Sequence, residues 1–423
     1  MKLFNSDYFT YKDNQLYCED VNLKSITDKV GTPVYIYSKI FFEDRYKKFN
    51  SAFAEIDHTI FFAVKSNFNL NVIKIFSDLG SGIDVNSEGE LLRALEAGVS
   101  TDKIILTGVG KTKHEIKLGL ENKVKFIKTE SVEEIYLINK IAEELNVVAP
   151  LAIRINPDVD PKTHPYISTG LAENKFGIDS SKAVNVFTEA SKLNNLKLVG
   201  IDMHIGSQIT ELSPFVEAVT KLANIFIELK SKDINLTHFD IGGGMGVVYN
   251  EESPFTPDKL AQALLPILKP LNCNVSFEPG RYLTANGGVL LTEVLYTKMN
   301  HDKNFMIVDA SMTDLLRPSL YGAYHHIQPV MLNNGEDIVA DVVGPVCESG
   351  DFLAKGREIS KCEAGNKLAV MSAGAYGMVM ALNYNGRRRP PEVIVDKDKF
   401  YIARSRETYE HLLYDEKIIH ELF

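Results

Sequence analysis

Short apolar runs alternate with amphipathic stretches through the middle of the chain. Eight runs lie between residues 60 and 281: Ile60–Lys65, Gly82–Val85, Lys103–Thr107, Phe126–Thr129, Leu151–Asn156, Leu198–His204, His238–Ile241 and Val275–Glu278. Between them, stretches such as "NLNVIKIFSDLG", "SVEEIYLINKIAEELN" and "LSPFVEAVTKLANIFIELKSK" carry apolar residues at helical spacing. A further helical stretch, Ile40–Ile56, precedes the first run. Ser87 followed by Glu90, with Gly98 at the far end, frames one of the helices. Strands that alternate with helices pair in parallel through right-handed crossovers. Eight such units over about 240 residues predict a closed (β/α)8 TIM barrel, a fold of roughly 250 residues. The alternative, an open doubly wound sheet, lacks a dinucleotide fingerprint in any early strand-to-helix turn.

After residue 282 the pattern changes. "GGVLLTEVLYTKMN", "NFMIVDA", "DIVADVVGP", "NKLAVMSAG" and "PEVIVDKDKFYIAR" are β-like runs separated by turn residues. They predict a second, mostly antiparallel β domain, a barrel or sandwich. The early strand "TPVYIYS" is assigned to it because the barrel count is already full. The expected division is 38–281 for the barrel and 1–37 with 282–423 for the β domain.

Composition narrows the function. The chain has 423 residues, 45% hydrophobic and 24% charged, with a net charge of −10. That balance gives no support to nucleic-acid binding, and Arg387-Arg388-Arg389 is too short a cluster to alter it. No stretch has the apolar length of a membrane span, and the start lacks a secretory apolar region. Cys18, Cys273, Cys347 and Cys362 are scattered without metal-type spacing. A reduced cytoplasm fits them, and no metal is expected.

In barrel enzymes the chemistry stands at the C-terminal ends of the strands. Read there, the chain presents Lys65 on strand 1, Asp84 on strand 2 with Glu88 and Glu90 following, and Arg154 on strand 5. Strand 6 brings His204 and Ser207, strand 7 the glycines Gly242–Gly246, and strand 8 "FEPGR" with Glu278, Pro279, Gly280 and Arg281. A lysine where an apolar strand runs out is ordinarily a snorkelling side chain. Here it shares the mouth with a glycine run after strand 7, the usual phosphate seat of barrels, and with a histidine and a carboxylate. Pyridoxal 5'-phosphate needs this set: an amine for its aldehyde, a carboxylate for its ring nitrogen, phosphate donors and a flat partner. Lys65 is expected to be buried in that mouth so that its amine can be neutral.

The chain also resembles the alanine-racemase-type (fold type III) pyridoxal-phosphate decarboxylases. The matching stretches are "GTPVYIY", "FAVKSN", "GSGIDVNSEGEL", "NKFGI", "HIGSQ", "GGGMG", "EPGR", "RPSLYGAYH", "GPVCESGDFLA" and "GAYGMVMALNYNGR". They run in this order over nearly the whole chain. Ser66 stands where the family more often has alanine. The resemblance implies that Lys65 holds the cofactor covalently and that His204 stacks on its ring. It implies that Ser207, Gly243, Gly244 and the turn Glu278–Arg281 hold the phosphate, with Glu278 also on the ring nitrogen. Tyr376 would touch cofactor and substrate. Arg281, Arg317 and Tyr321 would bind the substrate's distal carboxylate, Glu348 would bind its distal amine, and Cys347 would protonate Cα. The Cys347 segment would reach the partner subunit of a homodimer, so that sites are shared. Asp84 and Arg154 are site residues without an assigned contact.

The implied reaction is decarboxylation of meso-2,6-diaminopimelate to L-lysine and CO2, the last step of lysine biosynthesis. Ornithine, arginine or carboxynorspermidine are the alternative substrates on the same fold. An inactive regulatory homologue should have lost Lys65 or Cys347, and both are present. A metal-dependent barrel hydrolase would need a His/Asp/Glu cluster at strand ends, where His204 is the only histidine. For the remaining site residues the plain alternatives are packing and surface ion pairs. A free cysteine usually packs as a small hydrophobe, but "PVCESGD" puts Cys347 beside two acids and a glycine, which suits a loop better than a core. Arginine's planar fork suits a carboxylate, and Tyr321 follows Arg317 by four residues. Tyr376 follows Gly374-Ala375, as in a tight turn.

Overall fold

A computed structural model describes residues 3–4, 6–161, 169–171, 174–332 and 335–423. The chain forms two compact units, Phe42–Thr284 and Met1–Phe41 with Ala285–Phe423.

The second unit begins with an N-terminal meander, β1 (Phe9–Lys12), β2 (Gln15–Cys18) and β3 (Val21–Asn22), followed by a helix and β4 (Val34–Ser38). The first unit then runs through β5 (His58–Ala63), β6 (Gly82–Val85), β7 (Ile104–Leu106), β8 (Phe126–Thr129), β9 (Ala149–Asn156), the two-residue β10 (Ile178–Asp179), β11 (Leu196–Asp202), β12 (His238–Asp240) and β13 (Asn274–Phe277). Apart from β10, these strands pair in parallel from β5 to β9, on through β11, β12 and β13, and back to β5. The barrel is therefore closed with eight strands, as the alternation predicts. The helix ahead of it spans Lys39–Ala52.

Strand side chains alternate between faces, and this period stacks the barrel interior in layers. Phe61, Ile105, Phe126 and Ala152 form an apolar layer with Val199. The Phe61 and Phe126 rings lie edge to face at 6.2 Å. Phe126 meets His238 in the same way at 5.2 Å. Two residues further along the same strands stand Lys128, Arg154 and Asp240. Asp84 lies beside Ala63, and Asp202 beside both Arg154 and Asp240, in register. One apolar layer thus supports one charged layer at the C-terminal ends.

The helix Glu88–Glu96 shows how local chemistry sets these ends. Ser87 Oγ accepts the Glu90 N–H at 3.3 Å, as an N-cap should. The Glu90 carboxylate turns to the Asn86 N–H at 2.7 Å instead of closing the box on Ser87.

The rest of the second unit is built on β14 (Gly288–Asn300), followed by β15 (Lys303–Val308), β16 (Ile327–Pro329), β17 (Asp337–Val343), β18 (Phe352–Ser360), β19 (Lys367–Val370), β20 (Glu392–Asp396) and β21 (Lys399–Arg404). Its main path is β18-β17-β15-β14-β4-β20-β21, with β19 joining β14 and β16 joining β19. Most pairs are antiparallel; β15 with β17 and β4 with β20 are parallel. Val34, Ile36, Val289, Leu291, Val393 and Val395 form its core together with Phe9, Leu16 and Cys18 of the N-terminal meander. The meander, β16 and β18 fall outside the runs read from sequence. Their strands are short or carry charges, as "FLAKGREIS" does, and the apolar signal is weak.

Candidate active site

Lys65 lies just past β5, in a short helical turn Val64–Ser66 that begins after Ala63. Its ammonium is 3.8 Å from Asp84 Oδ2, and its side chain is 36% exposed while Asp84 is 0%. Lys65 is thus half-buried, not sequestered as expected, because the strand ends two residues before it. Among the described residues, neither Asp84 oxygen nor the Thr107 hydroxyl has a hydrogen-bond partner. Burial pushes the Asp84 carboxyl up to about 7, Glu278's charge adds to this, and Lys65 and Lys128 oppose it.

Next to it lies a buried ionic set from which the sequence reading singled out Glu278 and Arg154 but not Lys128, Asp202 or Asp240. Lys128 Nζ donates to Asp202 Oδ1 at 2.8 Å and to Asp240 Oδ2 at 2.7 Å, and makes a close contact with Glu278 Oε1. Asp240 Oδ1 accepts the Gly242 N–H at 2.8 Å. Arg154, also buried, donates to Glu130 at 2.7 Å and to the His204 carbonyl at 3.2 Å. This gives Arg154 a contact. Burial pushes the Glu278 carboxyl up, but Lys128, Lys65 and Arg154 outweigh it and hold it below the usual range.

His204 follows β11. Its Nδ1 accepts the Gly243 N–H at 3.1 Å, so a proton on the ring sits at Nε2. Burial first, then the charges of Lys65, Arg154 and Lys128, hold it well below the usual imidazole range, and the ring is neutral. Ser207 Oγ accepts from Arg281 Nε at 3.3 Å and Nη2 at 3.1 Å, while Arg281 Nη1 donates to the Tyr249 hydroxyl at 2.7 Å.

The glycine run after β12 is used in an unexpected way. A side chain on Gly243 would meet the Glu278 carbonyl at 2.2 Å, so this glycine lets two strand ends touch. Its N–H and that of Gly242 are bound within the protein. Gly244, at φ +113°, and Gly280, after Pro279, have N–H groups that make no hydrogen bond among the described residues.

These groups fit pyridoxal phosphate. Two unpaired N–H groups, Ser207 and Arg281 suit a phosphate. The neutral His204 ring is flat, and Glu278 Oε2 makes no hydrogen bond among the described residues.

The other expected residues stand in the second unit. Arg317 opens the short helix Arg317–Tyr321 and is buried, donating to His325 Nε2 at 2.7 Å; His325 Nδ1 in turn donates to the Met371 carbonyl at 2.8 Å. Cys347 is exposed on the turn between β17 and β18, its N–H on Asn385 Oδ1 at 2.8 Å. Glu348 is on the same turn, which Asp351 braces through the N–H groups of Met312 and Val346 at 2.6 and 2.7 Å. Tyr376 has φ +55°, a left-handed backbone that sets it on a tight turn.

Residues 41–285 match the family model described as "Pyridoxal-dependent decarboxylase, pyridoxal binding domain". The chain is 47% identical to the diaminopimelate decarboxylase of Haemophilus influenzae over 408 residues, 96% of this chain and 98% of that one. It is 47% identical to that of Vibrio cholerae over 417 residues, 98% and 100% of the two chains. Among solved structures, the diaminopimelate decarboxylase of Helicobacter pylori complexed with L-lysine is similar at TM-score 0.90 and 41% identity, covering 93% of this chain and 98% of that one. The chain therefore belongs to the pyridoxal-dependent decarboxylases and, among them, to the diaminopimelate decarboxylase family. It is a carboxy-lyase. No helix among the described residues is long and apolar enough to cross a membrane.

Proposed function

We propose that this chain binds pyridoxal 5'-phosphate in its barrel and converts meso-2,6-diaminopimelate to L-lysine and CO2, as a cytoplasmic homodimer. The observation that carries the reading is the charged layer at the C-terminal strand ends, with Lys65 half-exposed beside it. Bound there, the cofactor would supply a carbonyl that takes up amines and a ring that stores the electron pair left when CO2 departs.

Lys65 would be the amine that fixes the cofactor, with Asp84 next to its nitrogen. Gly244, Gly280, Ser207 and Arg281 would hold the phosphate, with Gly243 and Pro279 shaping the cradle. His204 would stack on the ring as a neutral imidazole. Glu278, kept ionised, would hold a proton at the ring nitrogen. Arg281, Arg317 and Tyr321 would bind the distal carboxylate, Glu348 the distal ammonium, and Tyr376 would contact cofactor and substrate. Cys347 would deliver the proton to Cα. Its exposure suits donation to the site of a partner subunit.

The test is direct. Purified chain with pyridoxal phosphate should form L-lysine from meso-2,6-diaminopimelate and leave ornithine and arginine nearly untouched; preference for either of those would overturn the substrate assignment. Mixing inactive Lys65→Ala and Cys347→Ala chains under subunit exchange should restore activity. Hybrids without activity would place both residues in one chain's site.

A further inference from the structure

The chemistry above leaves Lys128 unused. Lys128 stands on β8 with 0% exposure, deep among strands that supply carboxylates. An ammonium has three N–H donors, and Lys128 turns toward three acids: Asp202 from β11, Asp240 from β12 and Glu278 after β13. The oxygens of those acids lie within 4.8 Å of one another, and the Lys128 nitrogen takes the place a cation would fill. For stability alone this arrangement is unneeded. A buried ion set can be replaced by apolar side chains of similar volume without loss, whereas removing one partner strands the rest.

We infer that Lys128 is a positioning residue for the decarboxylation: it holds Glu278 by Oε1, keeps that carboxylate ionised, and leaves Oε2 free to meet the ring nitrogen of the cofactor. The inference rests on the proposed pairing of Glu278 with that nitrogen. Among the charges around it, Lys128 is the cation in direct contact with Glu278. Asp84 faces the set from β6, Lys65 from the turn after β5, and Arg154 from β9 with Glu130 against it; His204 is neutral. Burial pushes Asp84, Asp202 and Asp240 up. Glu278 alone of the four ends below its usual range, and Lys128 is the first of the groups that bring it there. Without Lys128, clustered carboxylates would retain a proton to higher pH, and Glu278 would share it.

The experiment compares wild type with Lys128→Met in two measurements across pH. One is affinity of the cofactor-free chain for pyridoxal phosphate by equilibrium dialysis; the other is kcat and KM of the holoenzyme. The variant should lose about tenfold or more in kcat near neutrality with KM little changed. Both kcat and cofactor affinity should recover as pH rises, along a limb that wild type lacks. Lys128→Met/Asp240→Asn carries the test if the single variant does not fold, because Glu278 then still has Asp202 beside it and lacks the Lys128 ammonium, so the limb persists. Curves that superimpose on wild type, with only Tm lowered, would make Lys128 merely structural and overturn the inference. Glu278→Gln separates the two levels. If it leaves cofactor affinity and kcat unchanged, the ring-nitrogen reading itself fails, whatever Lys128 does.

Discussion

The barrel interior and the core of the second unit bury different things. At the strand ends of the barrel, Lys128, Asp202, Asp240, Glu278, Arg154 and Asp84 are taken out of water together. The core around β14 buries Val34, Ile36, Val289, Leu291 and Val393, and two tyrosine hydroxyls within the same unit each find a hydrogen-bond partner. Tyr35 donates to the Asp314 carbonyl at 2.5 Å and Tyr37 to Glu392 at 2.9 Å. An apolar core is the cheaper way to hold a fold, since isolated charges lose hydration that pairing only partly restores. The charged layer is therefore the one the proposed chemistry would draw on, and the layer of valine and leucine holds shape.

That contrast can be broken from either side. The largest effect is expected at Lys65. Lys65→Ala should abolish nearly all turnover while far-UV circular dichroism and Tm stay close to wild type, because the side chain is half-exposed and packs in no core. Leu291→Ala is the converse. Removing a fully buried leucine side chain should cost about 2–5 kcal/mol in denaturant unfolding, with kcat per folded molecule nearly unchanged.

Arg317 blurs the boundary, being a buried cation in the second unit. Charge-assisted bonds to a carboxylate contribute roughly 1.5–3 kcal/mol each. Arg317→Ala should therefore lower kcat/KM for diaminopimelate by about ten- to more than a hundredfold. Equal losses for ornithine and diaminopimelate in parallel assays would make it a structural partner of His325.

The smallest effect is electrostatic. Asp84 has its carboxyl raised to about 7 in the fold, by burial before all else, against an ordinary 3.8. The folded state prefers the protonated acid, so its contribution to stability is intact below the ordinary value and is lost as pH climbs toward 7. Asp84→Asn cannot lose it. Without cofactor, the Tm of the variant relative to wild type should rise by a few degrees, roughly, between pH 5 and pH 8. A difference that stays flat over that range would mean that Asp84 is not the buried acid described.

Much of this was legible in the sequence because barrel strands are buried on both faces and read as apolar runs. The glycine run, "EPGR" and the strand-end lysine were visible as punctuation at the ends of those runs. Lys128, Asp202 and Asp240 were not singled out, since each sits inside its run and reads as a lone polar residue. The signal was parity. Lys128 shares a face with Phe126 and Asp240 with His238, and a polar residue two positions beyond an inward residue points inward too; for Asp202 a register shift between Leu198 and Gly200 breaks that cue. Tyr249 gave no such cue, because it lies in a loop and is fixed by Arg281. The N-terminal meander was missed because four-residue strands carry too few apolar positions to separate from turns.

In the proposed chemistry Lys65, beside the charged layer, is the point of attachment of the cofactor. Borohydride reduction of the chain loaded with pyridoxal phosphate, followed by peptide mass mapping, tests it most directly. One added cofactor mass is expected on the peptide that contains Lys65, and none on that peptide in Lys65→Ala. A cofactor mass on the peptide of Lys111 or Lys128 instead, or no fixed cofactor at all, would contradict it.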